Sequence, residues 1–216
     1  MQRVIERETE TAQAQNNYTY RQSVTIDEFD NRGAIVGNYW ELRDIIFSPQ
    51  KERTEHMIGQ PFTNLHRIIL SDEDFRDIRE IQPFLLTKDQ TFLYQTRFRG
   101  EETVAGIDCY VIQIQPRQIL QGQRLFEGVV WVDKKDFSIT RSEGQAVPEI
   151  RTTKYENLFP HFTTIRDKVD GNYRFPVTTY ADDTLYFRNG PQRIRLMIRY
   201  SQYKRFEADS KITFDK

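Results

Sequence analysis

The nineteen residues Leu125–Glu143 (LFEGVVWVDKKDFSITRSE) restrict the fold of this chain more than any other stretch. Leu125 to Val132 is dense in β-branched and aromatic side chains, the composition of a pleated, half-buried surface. Asp133-Lys134-Lys135-Asp136 then supplies a polar turn with no β-branched residue. Beyond it Phe137, Ile139 and Arg141 alternate with Ser138, Thr140 and Ser142. Helical spacing fits neither half, so the stretch predicts a hairpin in the middle of an antiparallel sheet.

The rest of the chain repeats this pattern. Tyr18 to Asp27 alternates, with Tyr20, Gln22, Val24 and Ile26 on one side. Asn31 and Gly33 then turn it into Ala34 to Phe47, where Trp40, Leu42 and Ile46 are expected to share a face. A turn at Ser48-Pro49-Gln50-Lys51 leads to a third strand over Glu52 to Ile58. Further strands are predicted over Gln90 to Gly100 and Asp108 to Gln115, and within Lys154 to Val169. Tyr173 to Tyr180 and Leu185 to Arg188 follow, separated by Asp182-Asp183, and a long strand runs from Arg193 to Arg205. About ten strands result, expected as one continuous up-and-down meander.

Two helices interrupt it. Met1 to about Gln15 lacks Gly and Pro but has only Val4, Ile5, Ala12 and Ala14 as an apolar stripe, which predicts a frayed leading helix over residues 1–16. Ser71-Asp72-Glu73-Asp74 is a capping box that starts a helical insertion over residues 71–80, and Pro83 ends it. Leu65 to Leu70 and Phe84-Leu85-Leu86 flank this insertion as the most apolar loop material in the chain.

Composition narrows the partners. Thirty-one basic and thirty-two acidic residues give a net charge of −1, without the basic stripe that nucleic acid demands. A 29% charged fraction beside 38% hydrophobic residues suits strands with one wet face. Nothing approaches 18 consecutive apolar residues. The first residues do not follow the order of an export signal, so the chain is either cytosolic or a mature, trimmed form.

No catalytic constellation emerges. His56, His66 and His161 share no metal-ligand spacing, and each reads as solvated or hydrogen-bonded. Cys109 lies in a strand and reads as a small buried hydrophobe. Asp182-Asp183 reads as a turn cluster, Arg166-Asp167-Lys168 as solvated, and Arg193, Arg195 and Arg199 as the wet face of their strand. Neither enzyme activity nor a cofactor is expected.

A mainly β sheet of this size with so few helices must curl to bury its apolar face, giving an open, unclosed β-barrel with short helices over the concave side, one domain spanning residues 1–216. The interior candidates are Tyr20, Val24, Trp40, Leu42, Tyr110, Ile112, Ile114, Ile194, Leu196, Ile198 and Tyr200. Alternation alone does not distinguish a lined hollow from a core packed against the helices.

Three segments carry a resemblance: Asn17 to Gly33, Phe126 to Gly144, and Phe159 to Phe187. In this order they resemble the bacterial LolA/LolB-like superfamily of lipoprotein carriers and receptors, with the RseB-type envelope sensors, and most of all outer-membrane lipoprotein-sorting proteins. The resemblance implies about eleven strands and an apolar hollow for lipid or lipoprotein acyl chains. It also implies a periplasmic or outer-membrane-associated location with membrane-associated partner proteins. A movable lid over Leu65 to Leu86 is expected, with Phe75, Ile78, Phe84 and Leu85 facing the hollow. No residue of this chain is matched to the arginine that holds the lid shut in that superfamily. The same fold with a filled core would serve as a sensor or protein-interaction domain.

Overall fold

The computed structural model describes residues 1–47, 52–153 and 156–205; the turn expected at 48–51 lies outside them. The chain is mainly β. Its strands are β1 (Tyr18–Phe29), β2 (Ile35–Phe47), β3 (Arg53–Met57), β4 (Phe62–Thr63), β5 (Tyr94–Val104), β6 (Ile107–Pro116), β7 (Leu125–Asp133), β8 (Ile139–Val147), β9 (Ile150–Arg151), β10 (Glu156–Asn157), β11 (Phe162–Val169), β12 (Tyr173–Phe187) and β13 (Gly190–Arg205). Eleven of them form one antiparallel sheet in the order β3-β2-β1-β13-β12-β11-β8-β7-β6-β5, with the short β4 also paired to β2. Its edges, β3 and β5, are not paired to each other, so the barrel is open.

This order corrects the expected continuous meander. The first strand pairs with the last, Val24 opposite Ile198, in the middle of the sheet. The chain leaves one edge after β4 and re-enters at the other as β5. The segment that makes this crossing is the helical insertion. Asp182-Asp183 is not a turn either: β12 runs unbroken through both, because Asp182 faces outward and pairs with Arg193 at 2.8 Å. Glu101 to Gly106, expected as a link, is mostly strand, and the turn contracts to Ala105-Gly106, both at positive φ.

Inner-face residues follow from the register. Tyr20, Val24 and Ile26 of β1 stand opposite Ile45, Glu41 and Tyr39 of β2, all buried. Trp40 and Leu42 stand opposite Thr25 and Ser23 and therefore lie on the outer face, where Trp40 is 38% exposed. The expected face of β2 is wrong because its inward positions include a buried ion pair, Glu41 with Arg43, which hydrophobic alternation assigns to water. The central hairpin holds a second correction. A register shift beside Trp131 puts Ile139 inward and Arg141 outward, the latter over the Trp131 ring.

That hairpin also explains its glycines. Gly128 and Gly144 stand opposite each other, and a Cβ on either would sit 2.1 or 2.2 Å from the carbonyl oxygen across the ladder. The Phe126 ring lies against both, and Phe84 of the insertion stacks on that ring at 4.4 Å. The glycine pair is thus the seat on which an aromatic stack from the insertion rests.

Two elements cover the inner face. Helix α1 (Gln2–Gln15) buries Val4, Glu8 and Thr11, so it is docked rather than frayed. Helix α2 (Asp72–Arg76) begins at Ser71 with the expected capping box and passes into a π-helical turn, Asp77–Ile81. Ile78, Ile81, Phe84 and Leu86 from this region enter the main core with Val24, Ile112, Ile114 and Ile198.

Candidate functional site

Most of the inner face is filled. Tyr20, Val24, Ile112, Ile114, Ile198 and Tyr200 are buried beneath the two helical elements, and Tyr110 packs at their margin. A hollow of about 470 Å³ remains at one end, under residues 67–71. Its apolar walls come from Ile26, Leu185, Ile194 and Leu196 of the sheet, Ile68, Leu70 and Ile78 of the insertion, and Leu158 and Phe159 beyond β10. Of the sequence candidates, the geometry brings Ile194, Leu196 and Ile78 together here. It leaves Trp40 and Leu42 on the far side of the sheet. Phe75 and Leu85 are half-buried, and Phe84 is buried away from the hollow on Phe126. The apolar run Leu65 to Leu70 signalled the roof; Leu158, Phe159 and Leu185 had no periodic signal, since two lie outside any strand.

The roof is held at its backbone. The Glu28 carboxylate, buried at the end of β1, accepts the His66 and Arg67 N–H groups at 2.8 and 3.0 Å. The Arg67 guanidinium reaches the β12–β13 turn, donating to the Pro191 and Asn189 carbonyls at 3.1 and 3.2 Å. Ile69, 88% exposed, stands at the mouth.

A polar knot closes the other side of the hollow. Ser71 and Asp74 satisfy each other in the capping box, and the Asn157 amide donates to Ser71 Oγ at 3.0 Å. Arg124 donates to Asn157 at 2.5 Å and pairs with Asp77 at 2.7 Å, both charges being buried. Burial outweighs the attraction of Arg124 and pushes the Asp77 carboxyl up to about 7, with Asp74 adding to the rise.

Beneath the insertion, Arg166 has a role that sequence patterning assigned to solvent. Its side chain is fully buried and pairs with Glu8 of α1 at 2.9 Å. It also donates to the carbonyls of Pro83, at 2.8 Å, and Phe84. Glu8 in turn accepts the Ile139 N–H at 2.9 Å, while burial raises its carboxyl above the usual range. Arg166 thereby ties α1, the insertion and the sheet to one point. A second hollow, about 510 Å³ and shallower, lies beside α2 and is lined by Tyr39, Glu41, Arg43, Phe75, Arg76 and Arg79. Its mixed charges do not form an apolar site.

The three histidines are exposed, Cys109 is buried with its thiol pushed up by burial, and among the described residues no cluster of His, Cys, Asp or Glu is arranged to hold a metal. Among the described residues no helix is long and apolar enough to cross a membrane.

Comparison with solved structures finds distant likenesses that run along nearly the whole chain. A DUF1329 family protein from Desulfovibrio piger aligns over 97% of this chain and 94% of its own, at 17% identity and a TM-score of 0.42. A LolA superfamily protein from Nitrosomonas europaea aligns over 98% and 97%, at 14% identity and a TM-score of 0.38. A putative outer-membrane lipoprotein-sorting protein domain from Vibrio parahaemolyticus aligns over 96% and 95%, at 12% identity and a TM-score of 0.40. No protein-family model matches the sequence, and no curated protein matches it.

Proposed function

We propose that the protein binds an acyl chain of a lipid or lipoprotein in the bacterial cell envelope, without catalysis. One observation carries this reading: the apolar hollow of about 470 Å³ lies between an open sheet and a segment hinged across its two edges. The volume falls within the range of small-ligand sites, and each methylene taken from water contributes about 0.8 kcal/mol. Residues 65–86 act as the lid, with Ile78 in the wall and Arg166 and Glu28 as its fastenings. The interior site is Ile194 and Leu196 with Ile26, Leu185 and Leu158, rather than the whole inner face.

The test is displacement of a fluorescent fatty acid. Leu196→Asp places a charge in the hollow and is expected to abolish uptake, whereas Trp40→Asp, on the outer face, leaves uptake unchanged. Equal loss in both, or in neither, refutes the assignment of the site.

A second reading, a protein-interaction domain of the same fold, is favoured by β5. This eleven-residue edge strand has most of its side chains exposed and, among the described residues, one unpaired side, open to an added strand. Wild-type protein that takes up no acyl probe while a partner peptide protects β5 amides from exchange would select it.

A further inference from the structure

Beneath the lid, the floor carries a hydrogen-bond relay that ends on a backbone carbonyl. Thr164 Oγ1 lies 2.8 Å from the Gln82 carbonyl oxygen and 2.8 Å from Thr179 Oγ1. Thr179 Oγ1 is 3.4 Å from the Tyr200 hydroxyl, and the Gln22 side chain lies beside that phenol. All four floor residues and Gln82 are buried.

The proton count fixes the direction. The carbonyl only accepts, so the single Thr164 proton points at it, and Thr164 must accept from Thr179. Thr179 then accepts from Tyr200. Donation in one direction polarises each successive O–H, making Thr164 a stronger donor than an isolated threonine. Beside it, Arg166 points two N–H groups at the next lid carbonyls, Pro83 and Phe84. Three consecutive lid carbonyls therefore occupy a row of donors that belongs to the sheet.

Valences are left over. Both side-chain polar atoms of Gln82, together with Gln22 Oε1 and Arg166 Nε, are buried with no hydrogen-bond partner among the described residues. A core serving only to pack would gain by replacing such groups with apolar ones. The row lies on the same inner face as the hollow, outside its lining: Thr179 pairs with Ile198, two residues along β13 from Leu196 in the hollow's wall, about 7 Å at the strand rise.

We infer that this row is a carbonyl subsite, at which the ester or amide carbonyl of an acyl-linked amphiphile replaces the lid's own Gln82–Phe84 carbonyls when the lid lifts. The inference rests on the acyl-chain reading above and adds the class of linkage: a carbonyl-bearing ester or amide, in preference to an ether or a plain hydrocarbon. The lid carbonyls act as an internal stand-in, so the donors are never left bare in the closed state.

The probes are 1-palmitoylglycerol and 1-O-hexadecylglycerol, which share chain length and head group and differ in the carbonyl. Wild-type protein is expected to bind the ester about tenfold more tightly, the ratio one neutral hydrogen bond supplies. Thr164→Val with Thr179→Val, nearly isosteric, should abolish that preference, read as the ratio of ester to ether affinity. Equal affinities in the wild type, or a preference that survives the double variant, overturn the carbonyl subsite and leave the acyl hollow standing. If neither probe binds, the acyl-chain reading fails and this inference with it. Should the double variant fail to fold, Tyr200→Phe breaks the relay upstream without touching the Thr164–Gln82 contact. It is expected to reduce the preference at least about twofold, the effect of a weakened donor, and an unchanged ratio overturns the relay.

Discussion

Arg166 is the residue whose replacement reads out most directly how the inner face is closed. Its side chain is fully buried, and it holds Glu8 at 2.9 Å and the Pro83 carbonyl at 2.8 Å. Arg166→Met removes the charge and keeps much of the volume, leaving Glu8 buried without its partner. Breaking a buried pair in this way costs about 3–5 kcal/mol. For a chain of this length each kcal/mol lowers Tm by about 2–4 °C, so a loss of roughly 6–20 °C is expected. Glu8→Gln, introduced on the Met background, removes the stranded carboxylate while keeping an acceptor for the Ile139 N–H. The double variant should therefore recover part of the loss, with a coupling of about 2–3 kcal/mol between the two positions. Recovery stays incomplete, because the Pro83 and Phe84 carbonyls still lack their donor. Hydrogen exchange should localise that remainder, with amides of residues 82–87 exchanging faster than those of β12 and β13. Thermal and denaturant unfolding of the wild type and three variants measures the cycle. A loss below about 1 kcal/mol for Arg166→Met, or a coupling below about 0.5 kcal/mol, would refute the claim that this pair fastens the lid and α1.

Two further outcomes follow from the same geometry. Gly128→Ala and Gly144→Ala each force a Cβ against the opposite carbonyl and the Phe126 ring, so either should lower stability by about 1–3 kcal/mol in denaturant unfolding; Gly33→Ala, with no atom within 4 Å of the added Cβ, tests backbone strain alone at its φ of +81°. Asp77, whose carboxyl is raised to about 7, binds its proton more tightly folded than unfolded, so its contribution favours the docked insertion below pH 4 and is lost as pH rises to 7. Exchange protection across residues 72–87, corrected for intrinsic rates, should fall by roughly 2–4 kcal/mol between pH 4 and 7.5, and Asp77→Asn should flatten that slope despite leaving Arg124 unpaired; an unchanged slope refutes the assignment.

The strands, the capping box at Ser71 and the central hairpin were legible because each is decided locally. A period of two, a polar turn and a helix N-terminus leave their mark within a few residues. Ile194 and Leu196 were likewise legible as inward-facing, since β13 alternates cleanly along its length. Trp40 and Leu42 were misread for the opposite reason: the inner positions of β2 are Tyr39, Glu41, Arg43 and Ile45, and two of them are charged. Arg166 was misread in the same way. A charge satisfied by a partner 158 residues away looks, in sequence, like any solvated charge.

By itself, then, the sequence determined a mainly β chain of about the right strands, broken by one capped helix among apolar loops. Tertiary structure alone decided that the first strand meets the last, that the insertion crosses between the two free edges, and where space remains beneath it. The physical reason is range. Backbone periodicity is written by neighbours along the chain, while burial of Glu8, Arg166, Gln22 and Gln82 depends on partners brought together only when the sheet has formed.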